Sequence, residues 1–138
     1  MKKRILFICT HNSARSQMAE AFLKTLFPER FEVYSAGTQP GKLNPFVVKA
    51  MVEVGMDISG NHTKSVDEFK GDKFDLVVTV CDQAKETCPY FPGALDYLHR
   101  NFEDPSTFTG SEEEIMEKVR QVRDNIKNWV IETFGEYK

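Results

Sequence analysis

The sequence has few cysteines, no long apolar run and no basic stripe. Only three cysteines occur among 138 residues, and the apolar runs are of strand length, too short to span a bilayer. There is no low-complexity tract or internal repeat, and the formal net charge is −3. These absences argue against a membrane protein and against a nucleic-acid partner. Three cysteines in a reducing compartment indicate free thiols, a metal site or redox chemistry.

We expect no signal peptide at the first residues. A basic start, Met1 to Arg4, is followed by the apolar run Ile5 to Ile8, which polar Thr10 ends too early for a signal sequence. We therefore expect a cytoplasmic protein. The length and the 41% hydrophobic content predict a single domain over residues 1–138 with one core.

Strand and helix patterns alternate along the chain. The predicted strands are 4–8, 31–35, 74–80 and 94–98. Helical patterns fall at 18–26, from Asn44-Pro45 to Gly55, at 66–69 and at 115–134. Residues 82–93 are polar with two prolines and predict a loop. The order predicts an α/β domain, with a parallel sheet flanked by helices on both faces and ligands at the carboxyl ends of the strands.

A short polar loop joins the first predicted strand to the first predicted helix. Five residues separate Cys9 from Arg15 in this loop. A loop that enters a helix directs several backbone N–H groups to one point, and the Arg15 guanidinium can grip two oxygens of a phosphate-like group. The helix N-terminus, Arg15 and the Ser16 hydroxyl all favour a thiolate at Cys9. The loop therefore predicts a nucleophilic cysteine that attacks a bound oxyanion. Its predicted binding residues are Thr10, His11, Asn12, Ser13, Ala14, Arg15 and Ser16.

Two further cysteines follow the third predicted strand. Cys81 and Cys88 are seven positions apart, which is about 10 Å in a regular helix. A disulfide needs Cα atoms within about 7 Å, so a bond between them requires this segment to bend. In a redox interpretation, Cys81 resolves an intermediate on Cys9 and Cys88 then resolves Cys81. The alternative is one buried thiol and one incidental surface thiol. Scattered histidines make a zinc site a poor interpretation.

Asp104-Pro105 supplies a candidate general acid. A leaving oxygen needs a proton, and a carboxylic acid on a loop near the anion can donate it. Asp-Pro is also a common turn signal, so an ordinary solvated turn is the competing interpretation.

Several segments together resemble the thioredoxin-coupled arsenate reductases, which share the low-molecular-weight tyrosine phosphatase fold. The resemblance rests on 8–21 (ICTHNSARSQMAEA), Tyr34-Ser35-Ala36-Gly37, Asn44-Pro45, 57–59, 61–63, 75–79 and Phe102-Glu103-Asp104-Pro105. It covers nearly the whole chain, and the cysteine pair after the third strand is its most specific feature. It implies a three-layer sandwich with a four-stranded parallel sheet.

The resemblance also implies a role for each site residue. Cys9 forms a thio-arsenate adduct, Arg15 and the loop amides bind the oxygens, and Asp104 is the general acid. Cys81 then attacks Cys9 and releases arsenite, and Cys88 moves the disulfide to Cys81–Cys88 for reduction by thioredoxin. Implied partners are arsenate, with phosphate or sulfate as mimics, and thioredoxin; we expect a monomer without a tightly bound cofactor.

Some members of the family bind potassium near the loop. The matching positions are Asn12, Glu20, Ser35 and Thr63. The family's aspartate appears here as Ser65, and Gly60 is an insertion before Asn61. These two departures weigh against a potassium site.

Three alternatives stay open on the sequence. A low-molecular-weight tyrosine phosphatase would use the same Cys9, Arg15 and Asp104, but Ser106-Thr107 stand where such phosphatases carry aromatic residues. A redox sensor or binding module would need only the cysteines. Coupling to glutaredoxin and glutathione would replace thioredoxin as the source of electrons.

Overall fold

Four strands, three α-helices and two short 3-10 helices make up the computed structural model, which describes residues 2–82 and 91–137. The strands are β1 (Lys3–Cys9), β2 (Phe31–Gly37), β3 (Phe74–Thr79) and β4 (Ala94–His99). The α-helices are α1 (Arg15–Leu26), α2 (Pro45–Val52) and α3 (Glu112–Gly135). The 3-10 helices are Val66–Phe69 and Pro105–Thr107. No helix in these ranges is both long and apolar enough to cross a bilayer.

The strands form one parallel sheet in the order β2-β1-β3-β4. Ile5 of β1 lies opposite Val33 of β2 and Leu76 of β3. Apolar β1 is central, as its unbroken hydrophobic run predicted, and its residues Ile5 to Ile8 are fully buried. The predicted α/β class and parallel sheet are confirmed, with strand ends that differ by one or two residues.

The two faces of the sheet are covered unequally within the described residues. Ile5 and Phe7 of β1 point to the larger cluster, which contains buried side chains of α1, α2 and α3. Leu6 and Ile8 point the other way, to a smaller cluster around Phe74 that the 3-10 helix Val66–Phe69 flanks. Alternate side chains of one strand thus serve two cores, because successive residues of a strand face opposite sides.

The ends of the helices follow local chemistry. The Asn44 side chain accepts hydrogen bonds from the amides of Phe46 and Val47, with Pro45 at the first helical position, as predicted. The periodicity placed the end of this helix at Gly55, but α2 ends at Val52, and Gly55 has a φ of 82° in the turn that follows. By contrast, α1 has no side-chain cap and no acidic residue in its first turn. Its N-terminus is therefore open to an external anion.

A cluster of ion pairs joins α2 to α3. Glu53, which follows α2, accepts hydrogen bonds from Arg120 at 2.8–3.1 Å and from Arg123 at 2.8 Å. The hydrogen bonds from Arg120, with those from Arg123, lower the pKa of Glu53 from 4.5 to about 2. Arg123 also donates to the carbonyl of Ala50, so the connection includes the backbone of α2.

Candidate active site

Two of the three cysteines lie at the carboxyl edge of the sheet, at neighbouring strand ends. Cys9 is the last residue of β1, and Cys81 lies two residues beyond the end of neighbouring β3. The Val80 amide donates to the Ile8 carbonyl at 2.9 Å, which keeps the two chain segments together past the end of β3. Cys9 is 2% exposed and Cys81 is fully buried. Cys9 is a free thiol, whereas Cys81 is disulfide-bonded.

Two hydrogen-bonding groups converge on the sulfur of Cys9. The Ser16 hydroxyl lies 2.9 Å from Cys9 Sγ, and the Asn12 amide donates to the same sulfur at 3.3 Å. Both residues are fully buried. The Asn12 amide can only donate, and the Ser16 hydroxyl can donate or accept. Hydrogen bonds donated to the sulfur favour its negatively charged, reactive form.

The loop from Cys9 to Arg15 is wrapped tightly by the chain outside it. Its carbonyls at Thr10, His11 and Ser13 accept hydrogen bonds from the amides of Gln39, Gly41 and Asn44 at 2.8–3.2 Å. Because these carbonyls point outward, the loop can turn its amides towards a common centre. Asn12 has a φ of 54°, the left-handed conformation that such a reversal of direction requires.

Gly37 allows the end of β2 to touch this loop. A Cβ atom at Gly37 would lie 2.6 Å from the Thr10 carbonyl oxygen and 2.8 Å from the Asn12 amide nitrogen. Only glycine fits this position without moving the backbone of the loop.

Arg15 and Asp104 lie side by side at the loop. The Arg15 side chain is 2% exposed, and its Nη1 donates to the Phe102 carbonyl at 3.3 Å. Its Nη2 lies 3.6 Å from Asp104 Oδ2, and the Asp104 side chain is 19% exposed. Asp104 Oδ1 accepts from the Ser106 amide at 2.9 Å, which fixes the carboxylate at the start of the 3-10 helix. The predicted acid therefore reaches the predicted anion site from a distant part of the chain.

A buried polar network supports the loop from behind. The Asn12 side chain donates through Nδ2 to the hydroxyls of Ser16 and Ser35 at 2.8 and 2.9 Å. Its Oδ1 accepts from Gln17 Nε2 at 3.1 Å and from the Lys64 amide at 2.9 Å. All four hydrogen bonds that an asparagine amide can make are thus formed.

The residues that resemble a potassium site do not form an open cage of oxygens. These residues are Asn12, Glu20, Ser35 and Thr63. The Ser35 hydroxyl donates to one carboxylate oxygen of Glu20, and Lys24 donates to the other at 2.9 Å. The Thr63 hydroxyl instead donates to the Gly41 carbonyl at 2.7 Å. Three of the four positions, Asn12, Glu20 and Ser35, come together, and the Lys24 ammonium lies at the Glu20 carboxylate.

The structure thus brings together most of the site residues expected from the sequence. Cys9, the loop from Thr10 to Ser16, Cys81 and Asp104 share one edge of the sheet. Cys88 belongs to residues 83–90 and lies outside the described residues. Gln17 received no role from the sequence, although it stands in the motif beside Ser16 and is fully buried. Gln17 could have been recognised as a polar side chain at a buried position of α1.

Fold and site together define a class of protein: an α/β domain with a cysteine nucleophile in an anion-binding loop. The family described as "Low molecular weight phosphotyrosine protein phosphatase" matches residues 4–136. An arsenate reductase of Halalkalibacterium halodurans is 44% identical over 135 residues, covering 98% of this chain and 96% of its own. A solved structure described as an arsenate reductase in the phosphate binding state has a TM-score of 0.82 and 30% identity, with full coverage of both chains. A thioredoxin-dependent arsenate reductase of Corynebacterium glutamicum has a TM-score of 0.59 and 28% identity, over 94% of this chain and 62% of that one.

The chain belongs to the low-molecular-weight phosphotyrosine protein phosphatase family, and its relatives place it among the arsenate reductases of that family.

Proposed function

We propose that the protein reduces arsenate to arsenite through a relay of Cys9, Cys81 and Cys88, with thioredoxin as the source of electrons. The observation that carries this proposal is the position of two buried cysteines at neighbouring strand ends. The sulfur of Cys9 forms hydrogen bonds with Ser16 and Asn12, and Cys81 lies at the end of the adjacent strand. A phosphatase needs only the first of these sulfurs, whereas a reductase needs a second one within reach.

The first step uses the anion loop. The Cys9 thiolate attacks arsenic and forms a sulfur–arsenic bond, and one arsenate oxygen leaves as water with a proton from Asp104. The Arg15 fork, now paired with Asp104 at 3.6 Å, would hold two arsenate oxygens when the ion binds.

The second step is the reduction itself. The Cys81 thiolate attacks Cys9 Sγ, a sulfur–sulfur bond forms, and the electron pair of the sulfur–arsenic bond passes to arsenic. Arsenic(V) becomes arsenic(III) and leaves as arsenite, while the two thiols become a disulfide. Burial of both sulfurs favours this internal attack over attack by an external thiol.

The remaining steps regenerate the thiols. Cys88 attacks Cys81, Cys9 leaves as a thiolate, and the resulting Cys81–Cys88 disulfide is reduced by the dithiol of thioredoxin. The Corynebacterium glutamicum relative is described as thioredoxin-dependent, which supports this choice over glutaredoxin. The relay needs reduced cysteines at the start, so we place the protein in the cytoplasm, acting as a monomer.

The test is arsenate-dependent NADPH oxidation in the presence of thioredoxin and thioredoxin reductase. We expect steady turnover for the natural chain and none for Cys9→Ser. Cys88→Ser should release about one arsenite per protein and then stop, because the disulfide cannot move on to a position that thioredoxin reaches. Full steady-state turnover of Cys88→Ser would rule out the relay.

A parallel assay with p-nitrophenyl phosphate addresses the phosphatase alternative. The loop can bind phosphate as well as arsenate, since the two ions share shape and charge, so slow hydrolysis is compatible with the proposal. Fast hydrolysis without arsenate-dependent NADPH oxidation would identify a phosphatase instead. Replacing thioredoxin by glutaredoxin and glutathione in the first assay separates the two reductants.

A further inference from the structure

We propose that Gln17 is a positioning residue that directs the hydroxyl proton of Ser16 towards Cys9. It acts through Asn12, whose side-chain amide it helps to hold in one of two possible orientations. The inference deepens the proposed function, because it concerns the reactivity of the same cysteine.

Two backbone groups fix the direction of the hydrogen bonds around Gln17. The His62 carbonyl can only accept, so the Gln17 atom at 3.1 Å from it must be the amide nitrogen. The Lys64 amide can only donate, so the Asn12 atom at 2.9 Å from it must be the side-chain oxygen. The nitrogen of Gln17 also faces this oxygen of Asn12, at 3.1 Å.

The opposite end of the Asn12 amide is fixed as a consequence. Its nitrogen must face Ser16 and Ser35, to which it donates at 2.8 and 2.9 Å. The Ser16 oxygen therefore already accepts one hydrogen bond. Its own proton can point to Cys9 Sγ at 2.9 Å, which gives a directed chain from Gln17 through Asn12 and Ser16 to the sulfur.

The reversed orientation shows why Gln17 matters. If the Asn12 amide turned over, its oxygen would face Ser16, and the serine proton would be drawn to that oxygen instead of to Cys9. Its nitrogen would then oppose the nitrogen of Gln17 and the Lys64 amide, so that donors would face donors. Gln17 and Lys64 together exclude this state, and because Gln17, Asn12 and Ser16 are all fully buried, water is not at hand to replace the missing bonds.

Gln17 is itself held in place. Its side-chain oxygen accepts from the Asn61 side chain at 3.1 Å, so both ends of the Gln17 amide are occupied. Through these contacts the segment from Asn61 to Lys64 supports the anion loop from a distance of more than 40 positions in sequence.

The test measures the alkylation rate of Cys9 by iodoacetamide at fixed pH, in a Cys81→Ser/Cys88→Ser background where only Cys9 can react. Gln17→Met keeps the size of the side chain but donates nothing. We expect it to slow alkylation about tenfold, because the Ser16 hydroxyl would no longer be directed to the charged sulfur of Cys9. Gln121→Met, the same change at an exposed position of α3, is the matched control, and its alkylation rate should stay within about twofold of the background. In the arsenate assay, kcat should fall with little change in KM.

A double-mutant cycle separates positioning from general stability. Asn12→Gly keeps the left-handed backbone accessible and removes the amide through which Gln17 acts. Adding Gln17→Met to Asn12→Gly should then slow alkylation no further, whereas independent effects would multiply. Each rate is measured below the melting temperature of the variant and divided by its folded fraction. If Gln17→Met is too unstable to measure, Gln17→Glu takes its place. Glutamate has the same shape as glutamine and cannot donate a hydrogen bond when it is ionised.

Two results would overturn the proposal: an alkylation rate unchanged within twofold, or effects of Gln17→Met and Asn12→Gly that multiply. Alkylation requires neither arsenate nor thioredoxin, so this result stands apart from the fate of the proposed reduction.

Discussion

Among the glycines of the described residues, Gly37 is the one at which an added Cβ would come closest to the anion loop. An alanine Cβ would meet the Thr10 carbonyl and the Asn12 amide, both well inside van der Waals contact. We expect Gly37→Ala to lower the free energy of unfolding by about 1–3 kcal/mol, as for overpacking in a core. Phosphate binding should weaken as well, because the displaced atoms belong to the loop itself. Urea denaturation and calorimetric titration with phosphate measure the two effects.

Gly60→Ala is the control for this substitution. A Cβ at Gly60 would meet no atom within 4 Å. We expect its stability and phosphate affinity to match those of the natural chain. Equal stability and equal phosphate affinity of Gly37→Ala and Gly60→Ala would show that the close contact at Gly37 does not matter for the stability of the protein or for the loop.

At the scale of single residues, sequence reasoning succeeded where the chemistry is local. Cys9 and Arg15 lie in one short polar loop between a predicted strand and a predicted helix, so their spacing in that context predicts a shared role. Gln17 could not be assigned in this way, because its partners are the His62 carbonyl and the Asn61 side chain. Asp104 needed the family resemblance, since 89 positions separate it from Arg15 (104 − 15 = 89). A contact to a backbone group cannot be predicted from residue types, because nearly every residue has the same backbone groups.

Among the elements, the junction of α2 and α3 should give the protein a pH-dependent stability. Glu53 has a pKa of about 2 in the folded state, below its ordinary 4.5, because Arg120 and Arg123 donate hydrogen bonds to it. The folded state therefore binds this proton less readily than the unfolded chain. The stabilisation is fully present above pH 4.5 and is lost as the pH falls towards 2.

We therefore expect Glu53→Gln to be less stable than the natural chain near neutral pH, with a difference that shrinks between pH 4.5 and 2. Chemical denaturation over that range measures it. Glu132→Gln, at an exposed position of α3, is the control and should change the curve little. A gap between Glu53→Gln and the natural chain that stays constant down to pH 2 would contradict the assignment.

The strands and helices were predictable because each is marked by a regular spacing of hydrophobic residues within a short stretch of sequence. The buried run of β1 and the apolar stripe of α3 are of this kind. The exposure of β4 was not predictable. Leu95 is 85% exposed although the strand pattern resembles that of its neighbours, whereas β2, at the other edge of the sheet, is mostly buried. Strand order arises from contacts between elements, and periodicity within one element does not encode it.

For the whole molecule, Trp129 should report on the anion site. It is the single tryptophan of the chain and packs edge-on against Phe7, Phe102 and Phe134, with ring centroids 5.8–6.3 Å apart. The carbonyl of Phe102 accepts from Arg15. An anion that engages Arg15 will shift this contact, so phosphate should change the fluorescence of Trp129 in a saturable way.

Sodium chloride at equal ionic strength is the control for this titration. Arg15→Lys keeps the positive charge but cannot donate two parallel hydrogen bonds, so it should weaken the fluorescence response to phosphate. A flat emission signal under conditions where calorimetry detects phosphate binding would contradict the coupling. The same tryptophan should follow unfolding in one transition, coincident with the loss of helical circular dichroism, as a single core predicts.

The burial of Cys9 also bears on how the protein survives peroxide. A thiolate in open solvent is oxidised stepwise to sulfinic and sulfonic acids, and no thiol donor reverses those products. With 2% of Cys9 exposed, an oxidant must enter by the same opening as an oxyanion. An inorganic phosphate resting in that opening would close it. The ion that competes with arsenate would then also protect the sulfur, at the cost of slower turnover.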